Sequence, residues 1–430
     1  MKTGRPLGLL VLMAALALVA AACGSSDDTT TTTAAATGGA DSTTTTAPPA
    51  EETTTTAEEA MEELIFGMIL VGPENDRGWS QAHREGGEYL EEQLGATMIV
   101  LDKVNPADRP ETTVEQVVDD MIAQGAQLIF ATSDDMKDGI EAAAAAHPDV
   151  PMIWSSGDSA WVDGQAYRAD LANLGNIMGQ MEFGKQIAGC AAALSSETGS
   201  IAYLGPLIND ETRRLVNSVY LGAQYCWENI MGNDPADLDF EVTWIGVWFN
   251  IPGVTLDPTE VTNAFYYGGA DVVISGIDTT EAIVRAGQRA GAGETVWAVP
   301  YDFEGACSEA PEVCLGVPYF NWGPSYLETA TSVLDGTFSA DWRWLGPDWG
   351  NINDPQTSMI GWLDGDGLSA DNAAALATFI AGLADESIDL FAGPLNFQDG
   401  TSYLGDGEKA TAQQVWYTEQ LLEGIKGPSE

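Results

Sequence analysis

The stretch LIFGMILVGPENDRGWSQAHREGGEYLEEQLGATMIVL, residues 64–101, decides the fold. Residues 64–71 form a short apolar run, residues 80–94 carry apolar side chains at helical spacing, and residues 96–101 are a second apolar run. A run of that length bounded by Gly and Pro reads as a buried strand, and the 3.6-residue period between two such runs reads as an amphipathic crossover helix. The unit is βαβ.

The same alternation continues outward. Helices are predicted over 111–124 and 136–146, with strands over 127–131 and 151–155. A second series follows, with helices over 176–194, 211–226, 259–267 and 280–290 and strands over 200–204, 239–245, 271–275 and 295–299. Strands alternating with helices of this length build parallel sheets covered on both faces, so two doubly wound α/β lobes are expected in succession. In such sheets ligands sit beyond the carboxyl ends of the strands, which directs attention to the loops after Val71, Ala131, Ser155, Leu204, Ile245, Ser275 and Val299.

The N-terminal segment has a different character. Lys2 and Arg5 precede an apolar run over 7–19 and then Ala20-Ala21-Ala22-Cys23, the layout of a secretory signal whose apolar stretch is short for a membrane span. A cysteine directly after small residues resembles the bacterial lipobox, so 1–23 is read as a lipoprotein signal and Cys23 as the lipidated residue, anchoring the chain on the outer face of the cell membrane. Residues 24–61 hold Thr runs, Ala and acids, with no Lys or Arg. Such a composition buries no core and predicts a disordered tether.

The chain carries 65 acidic against 16 basic residues, a formal net charge of −49. That balance excludes nucleic acid and anionic membrane as partners for the folded body; it describes a solvated surface rather than a ligand. With Cys23 set aside, four cysteines remain in a compartment that permits disulfides. Cys307 and Cys314 are close enough to close a small loop, which leaves Cys190 for Cys226. A zinc site is the competing reading, but no C-x-x-C pair is present and the spacings are irregular.

The strand-end segments are GPENDRGWSQAHREGGEYLE (72–91), ATSDDMKDGIEAAAAAHPDVPMIWSSGD (131–158), VTWIGVWFN (242–250), ISGIDTTEAI (274–283), YDFEG (301–305), PYFNWGPSY (318–326) and FAGPLNFQDGTSYLGDG (391–407). In that order they resemble the basic membrane protein family of ABC-transporter substrate-binding lipoproteins, and within it the branch of purine nucleoside receptors. The chain departs from that branch in having Trp79-Ser80 where Phe-Asn is usual, and in a longer loop IGVWFNIPGVTLDP over 245–258. The resemblance implies a type I periplasmic binding protein fold, α/β, with two Rossmann-like lobes joined by crossover strands and a ligand cleft between them. Lobe one would hold 62–171 and 318–345, lobe two 172–317 and 346–427. It also implies capture of a purine nucleoside or nucleobase by lobe closure, an ABC permease as partner, and no cofactor; a sugar, another flat heterocycle or a sensing role without transport are the alternatives.

Candidate ligand residues follow from their places at strand ends. Trp79 stands in a polar turn suited to stacking on a flat ligand, with lobe packing as the alternative; Trp248 and Trp322 lie in comparable loops. Asp76 and Ser80 either meet the ligand or cap the helix that begins there, and Ser133 and Asp134 pose the same choice at the next helix. Asp158, Asn250, Asp278 and Asp302 follow further strands, where carboxylates suit paired hydroxyls and where a plain turn role competes. The Trp342, Trp344 and Trp349 group is expected in lobe packing, and Arg213 and Arg214 in surface ion pairs. No catalytic residue or metal ligand set is expected. His83 and His147 are the only histidines, and no G-x-S-x-G, phosphate-loop or G-x-G-x-x-G motif occurs; the acidic run over 363–372 lacks the twelfth-position Glu of an EF-hand loop.

Overall fold

A computed structural model describes residues 63–430, so the signal, Cys23 and the tether lie outside the described residues. In chain order the first half runs β1 (Ile65–Ile69), α1 (Trp79–Leu94), β2 (Thr97–Leu101), α2 (Val114–Ala123), β3 (Leu128–Ala131), α3 (Lys137–Ala146), β4 (Met152–Ser155) and β5 (Leu174–Gly179). Then come α4 (Met181–Ser195), β6 (Ser200–Gly205), α5 (Asp210–Tyr225), β7 (Asp239–Trp244), α6 (Pro258–Gly268), β8 (Val272–Ser275), α7 (Glu281–Gly291) and β9 (Trp297–Val299). The last part holds β10 (Gly316–Phe320), α8 (Gly323–Leu334), β11 (Trp342–Leu345), β12 (Ile360–Asp364), α9 (Ala370–Ala384), β13 (Leu395–Asn396), β14 (Ser402–Leu404), α10 (Ala412–Trp416) and β15 (Ile425–Lys426).

The strands form two parallel sheets. Lobe one has the order β11-β5-β4-β3-β1-β2 and lobe two the order β15-β7-β6-β8-β9. The antiparallel pair β10 and β12 forms a separate ribbon between the two. This is the two-lobed α/β architecture expected from the sequence. Lobe two's sheet has an apolar core on each face, as a buried parallel sheet requires.

Two boundaries differ from the sequence reading. Residues 176–179, expected to open a helix, belong to β5, which pairs with β4 and β11 in the sheet of lobe one. The first crossover therefore lies between Gly179 and Met181, several residues later than 171/172. The sequence LGNIMG is wholly buried. A fully buried strand carries no period-2 alternation, so it merges with the apolar helix that follows.

Helices α4 and α5 pack backbone against backbone. A β-carbon on Gly189 would lie 1.9 Å from the Val219 carbonyl oxygen, and one on Gly222 would lie 2.0 Å from that of Gln186. The Cys190–Cys226 disulfide staples α4 to the end of α5, and Cys307–Cys314 closes a tight loop after β9. Both pairings are those read from the sequence. The rigid α4–α5 pair matters for function because the first turn of α5 faces the cleft.

Candidate functional site

Strand ends from both lobes converge on a narrow cleft whose enclosed space is about 20 Å³, room for little more than a water molecule in this closed arrangement. Lobe one contributes Trp79, Ser133, Asp134 and Ser156; lobe two contributes Tyr203, Glu211, Thr212, Leu215, Trp248, Gly276, Asp278 and Tyr301. An outer compartment of about 170 Å³ shares Asp134, Ser156 and Glu211 with it and adds Asp158, Asn209, Asp210, Arg214, Trp416 and Tyr417.

The local sequence explains how these groups are held. Trp79 begins α1; its indole Nε1 donates to the Thr132 carbonyl at 2.6 Å, and its ring lies edge-on to Phe320 and Trp322. The one side chain therefore packs lobe one and presents surface to the cleft. Ser133 caps the short 3₁₀ turn that carries Asp134, accepting from the Asp135 amide at 3.3 Å. On the opposite side, Asn209 and Thr212 form a reciprocal capping box at the start of α5, at 2.9 and 3.0 Å, which fixes the neighbouring Glu211. The Asp278 amide donates to the Trp248 carbonyl at 3.0 Å, so the loops after β7 and β8 move as one.

Acidity dominates the electrostatics. Burial pushes Asp134 up to about 6, with Asp135 adding to the rise, and burial pushes Glu211 up to about 7 against the pull of Arg214. Burial, then the Asp302 charge, also holds Asp278 well above the usual carboxylate range. The Asp278 residue is 6% exposed, lines the cleft, and its carboxylate has no hydrogen bond to protein among the described residues. Such a group waits for a donor from a ligand or from water.

Among the expected residues, Trp79, Ser133, Asp134, Trp248 and Asp278 line the inner compartment, and Asp158 lines the outer one. The others lie elsewhere. Asp76 accepts from the Gly78, Ser80 and Gln81 amides at 2.9, 3.0 and 3.0 Å and so acts as the cap of α1. Ser80 is fully buried and accepts from the Gly72 amide at 3.0 Å. Asn250 is tied to Thr255 within its own loop. Trp322 is 1% exposed, stacked on His83 at 4.0 Å and against Phe320 inside lobe one. Asp302 is fully buried behind the cleft wall.

Arg214 also departs from expectation. It is 2% exposed, ion-paired with buried Glu182, and lies 4.5 Å from the Trp416 ring, so it organises the lobe interior rather than the surface. Arg213 does pair with Asp210, at 2.8 Å, but it also clasps the Thr418 carbonyl.

The segment around Trp416 and Tyr417 was not among the candidates. It is fastened to α5 through the Trp416 and Thr418 carbonyls. Its side chains cross to lobe one, where Trp416 lies edge-on to Trp161 and Trp342, and the Tyr417 hydroxyl reaches the Asp158 carboxylate and accepts from the Gln165 amide at 2.7 Å. At another edge of the cleft Arg77 of lobe one pairs with Glu309 and with Ser308, at 3.1 Å, in the disulfide loop of lobe two.

A family model described as ABC transporter substrate-binding protein, PnrA-like, matches residues 64–339. A purine-binding protein of Brucella abortus is 28% identical over 358 residues, 83% of this chain and 91% of that protein. A putative ABC transporter glucose-binding protein of Haloferax volcanii is 25% identical over 363 residues, 84% of this chain and 79% of that protein. The crystal structure of an ABC transporter solute-binding protein from Aeropyrum pernix superposes with a TM-score of 0.60 at 13% identity, covering 78% of this chain and 93% of that one, which bears on the fold alone.

Proposed function

The chain belongs to the family of PnrA-like ABC transporter substrate-binding proteins, a non-enzymatic family whose members present small molecules to a permease, and from that premise we propose that it captures a purine nucleoside or nucleobase. The observation that carries this reading is the cleft itself. A tryptophan from each lobe, Trp79 and Trp248, forms wall for a flat ring, and the unpartnered Asp278 carboxylate supplies a polar contact at its edge. The likeness to a purine-binding relative agrees with it. Closure of the lobes around the ligand is the signal offered to the permease. In the same reading the chain is held on the outer face of the membrane by a lipid on Cys23, with the Thr-rich segment as tether.

Titration calorimetry on residues 62–430 with adenosine, guanosine, hypoxanthine and D-glucose tests the ligand. Binding of at least one purine, weakened by Trp248→Ala and Asp278→Asn, is the expected result, and no heat with any purine overturns it. A hexose is the second reading, favoured by the glucose-binding relative and by the carboxylates around the cleft. Glucose binding without purine binding would select it. Loss of membrane association in Cys23→Ala tests the anchor.

A further inference from the structure

Lys185 is a fully buried cation on α4, shortly after the first crossover. Its ammonium donates to the Ser275 carbonyl at 2.8 Å, lies 3.2 Å from the centroid of the Tyr301 ring and 5.3 Å from that of Tyr203. Those contacts reach β6, the end of β8 and the segment after β9. Each leads to the inner compartment, which Tyr203, Gly276 and Tyr301 line. Asp302, next to Tyr301, has φ 71°, and both its carboxylate oxygens are buried without a hydrogen-bond partner among the described residues.

Packing does not explain a lysine here. Leu or Met would fill the space without the desolvation that a buried ammonium suffers, and the compensation available is the Ser275 carbonyl, the Tyr301 π face and the nearby Asp302 carboxyl, which burial itself holds well above the usual carboxylate range. The alkyl stem alone would also leave Tyr301 and the Ser275 carbonyl without their common partner.

We propose that Lys185 is a positioning residue for ligand capture: its ammonium, acting through Ser275, Tyr301 and Asp302, holds three strand segments of lobe two in the arrangement that receives the ligand. The proposal rests on the cleft being the ligand site. It makes affinity depend on charge at position 185 and not on side-chain volume alone.

The sign of the pH effect follows. Burial brings the Lys185 ammonium down to about 7, opposed by the Asp302 and Glu211 charges. The Tyr203 and Tyr301 hydroxyls facing it are pushed up by burial and stay neutral, and Glu182 on the same helix is committed to Arg214. The ammonium is therefore charged below about 7 and loses its charge as pH rises past it. Its help to binding fades in the same direction.

Lys185→Met and Lys185→Arg test this against adenosine, guanosine and D-glucose between pH 6 and 9. The ratio of wild-type to Lys185→Met affinity is expected to be about tenfold at pH 6 and to shrink toward one at pH 9, because an ionic hydrogen bond is removed only where it exists. Titration of Asp134 cancels in that ratio, whereas Glu211 and Asp302 interact with the ammonium and belong to the effect that the ratio reads. Lys185→Arg, charged throughout, should keep its affinity at pH 9 where the wild type weakens, and it serves alone should Lys185→Met not fold. Hydrogen exchange on the free proteins should rise in Lys185→Met at 203–205, 275–278 and 301–303 above the rest of lobe two. Equal affinity and exchange in wild type and variant overturn the proposal, as does a pH-independent ratio or a uniform rise in exchange. If none of the probes binds the wild type, the ligand reading fails on its own, and the exchange pattern alone then decides the role of Lys185.

Discussion

The Cα of Gly78 in lobe one lies so close beneath the Asp278 carbonyl of lobe two that a β-carbon at Gly78 would come within 1.7 Å of that oxygen. The obstacle is backbone, which cannot swing aside as a side chain does. Gly78→Ala should fold normally yet stop the lobes short of this approach. Small-angle scattering in saturating ligand should give a larger radius of gyration than wild type, and affinity should fall about tenfold or more for a clash of this size. An unchanged closed radius would show that the approach is not needed for closure.

The Tyr417 hydroxyl bridges to Asp158 and the Gln165 amide across the mouth of the cleft. Tyr417→Phe keeps the ring and removes the bridge. The expected effect is on ligand release, with koff in stopped flow rising about fivefold to tenfold and kon little altered, since losing a hydrogen bond of this kind costs about 1 kcal/mol.

Glu211 is held near 7 by burial, well above its value in an unfolded chain. A carboxyl whose folded pKa is raised favours the folded state at low pH, and that contribution is lost as pH rises from about 4.5 through about 7. Glu211→Gln should therefore stabilise the ligand-free protein at pH 8, by about 3 kcal/mol with a matching rise in Tm, and leave it unchanged near pH 4. Thermal melts at the two pH values check the sign.

Cys190 and Cys226 are 36 positions apart in sequence, and Cys307 and Cys314 are 7 apart. Loop-closure entropy assigns about 4 kcal/mol to the larger ring and about 2 kcal/mol to the smaller. The Cys190→Ala/Cys226→Ala double variant should lose more stability in urea titration than Cys307→Ala/Cys314→Ala. The second variant should instead loosen Ser308 and Glu309 from Arg77 and weaken ligand binding.

Much of this was legible in the primary structure, and what was not has identifiable causes. The β–α alternation from Leu64 to Val299 is readable because parallel strands give compact apolar runs between amphipathic helices. Strand-end position directed attention to Asp134, Trp248 and Asp278, which line the cleft. It misled at Trp322, whose polar-looking neighbours conceal a ring packed between α1 and α8. It also gave no hint of Tyr203, which lies inside a strand and reaches the cleft only because Gly276 opposite has no side chain to cover it. Trp416 is about two hundred positions from Arg214, which it meets in space, and no local pattern encodes that meeting.

The aromatic contact between Trp416 and the Trp161–Trp342 stack has a practical consequence. The stacked rings lie 4.0 Å apart at 3° in lobe one, while Trp416 arrives with the segment bound to lobe two. Excitation shared among these indoles changes when the lobes part, so opening and closing should alter the near-ultraviolet circular dichroism of the unlabelled protein. The molecule carries its own optical gauge, usable in a transport assay without a dye.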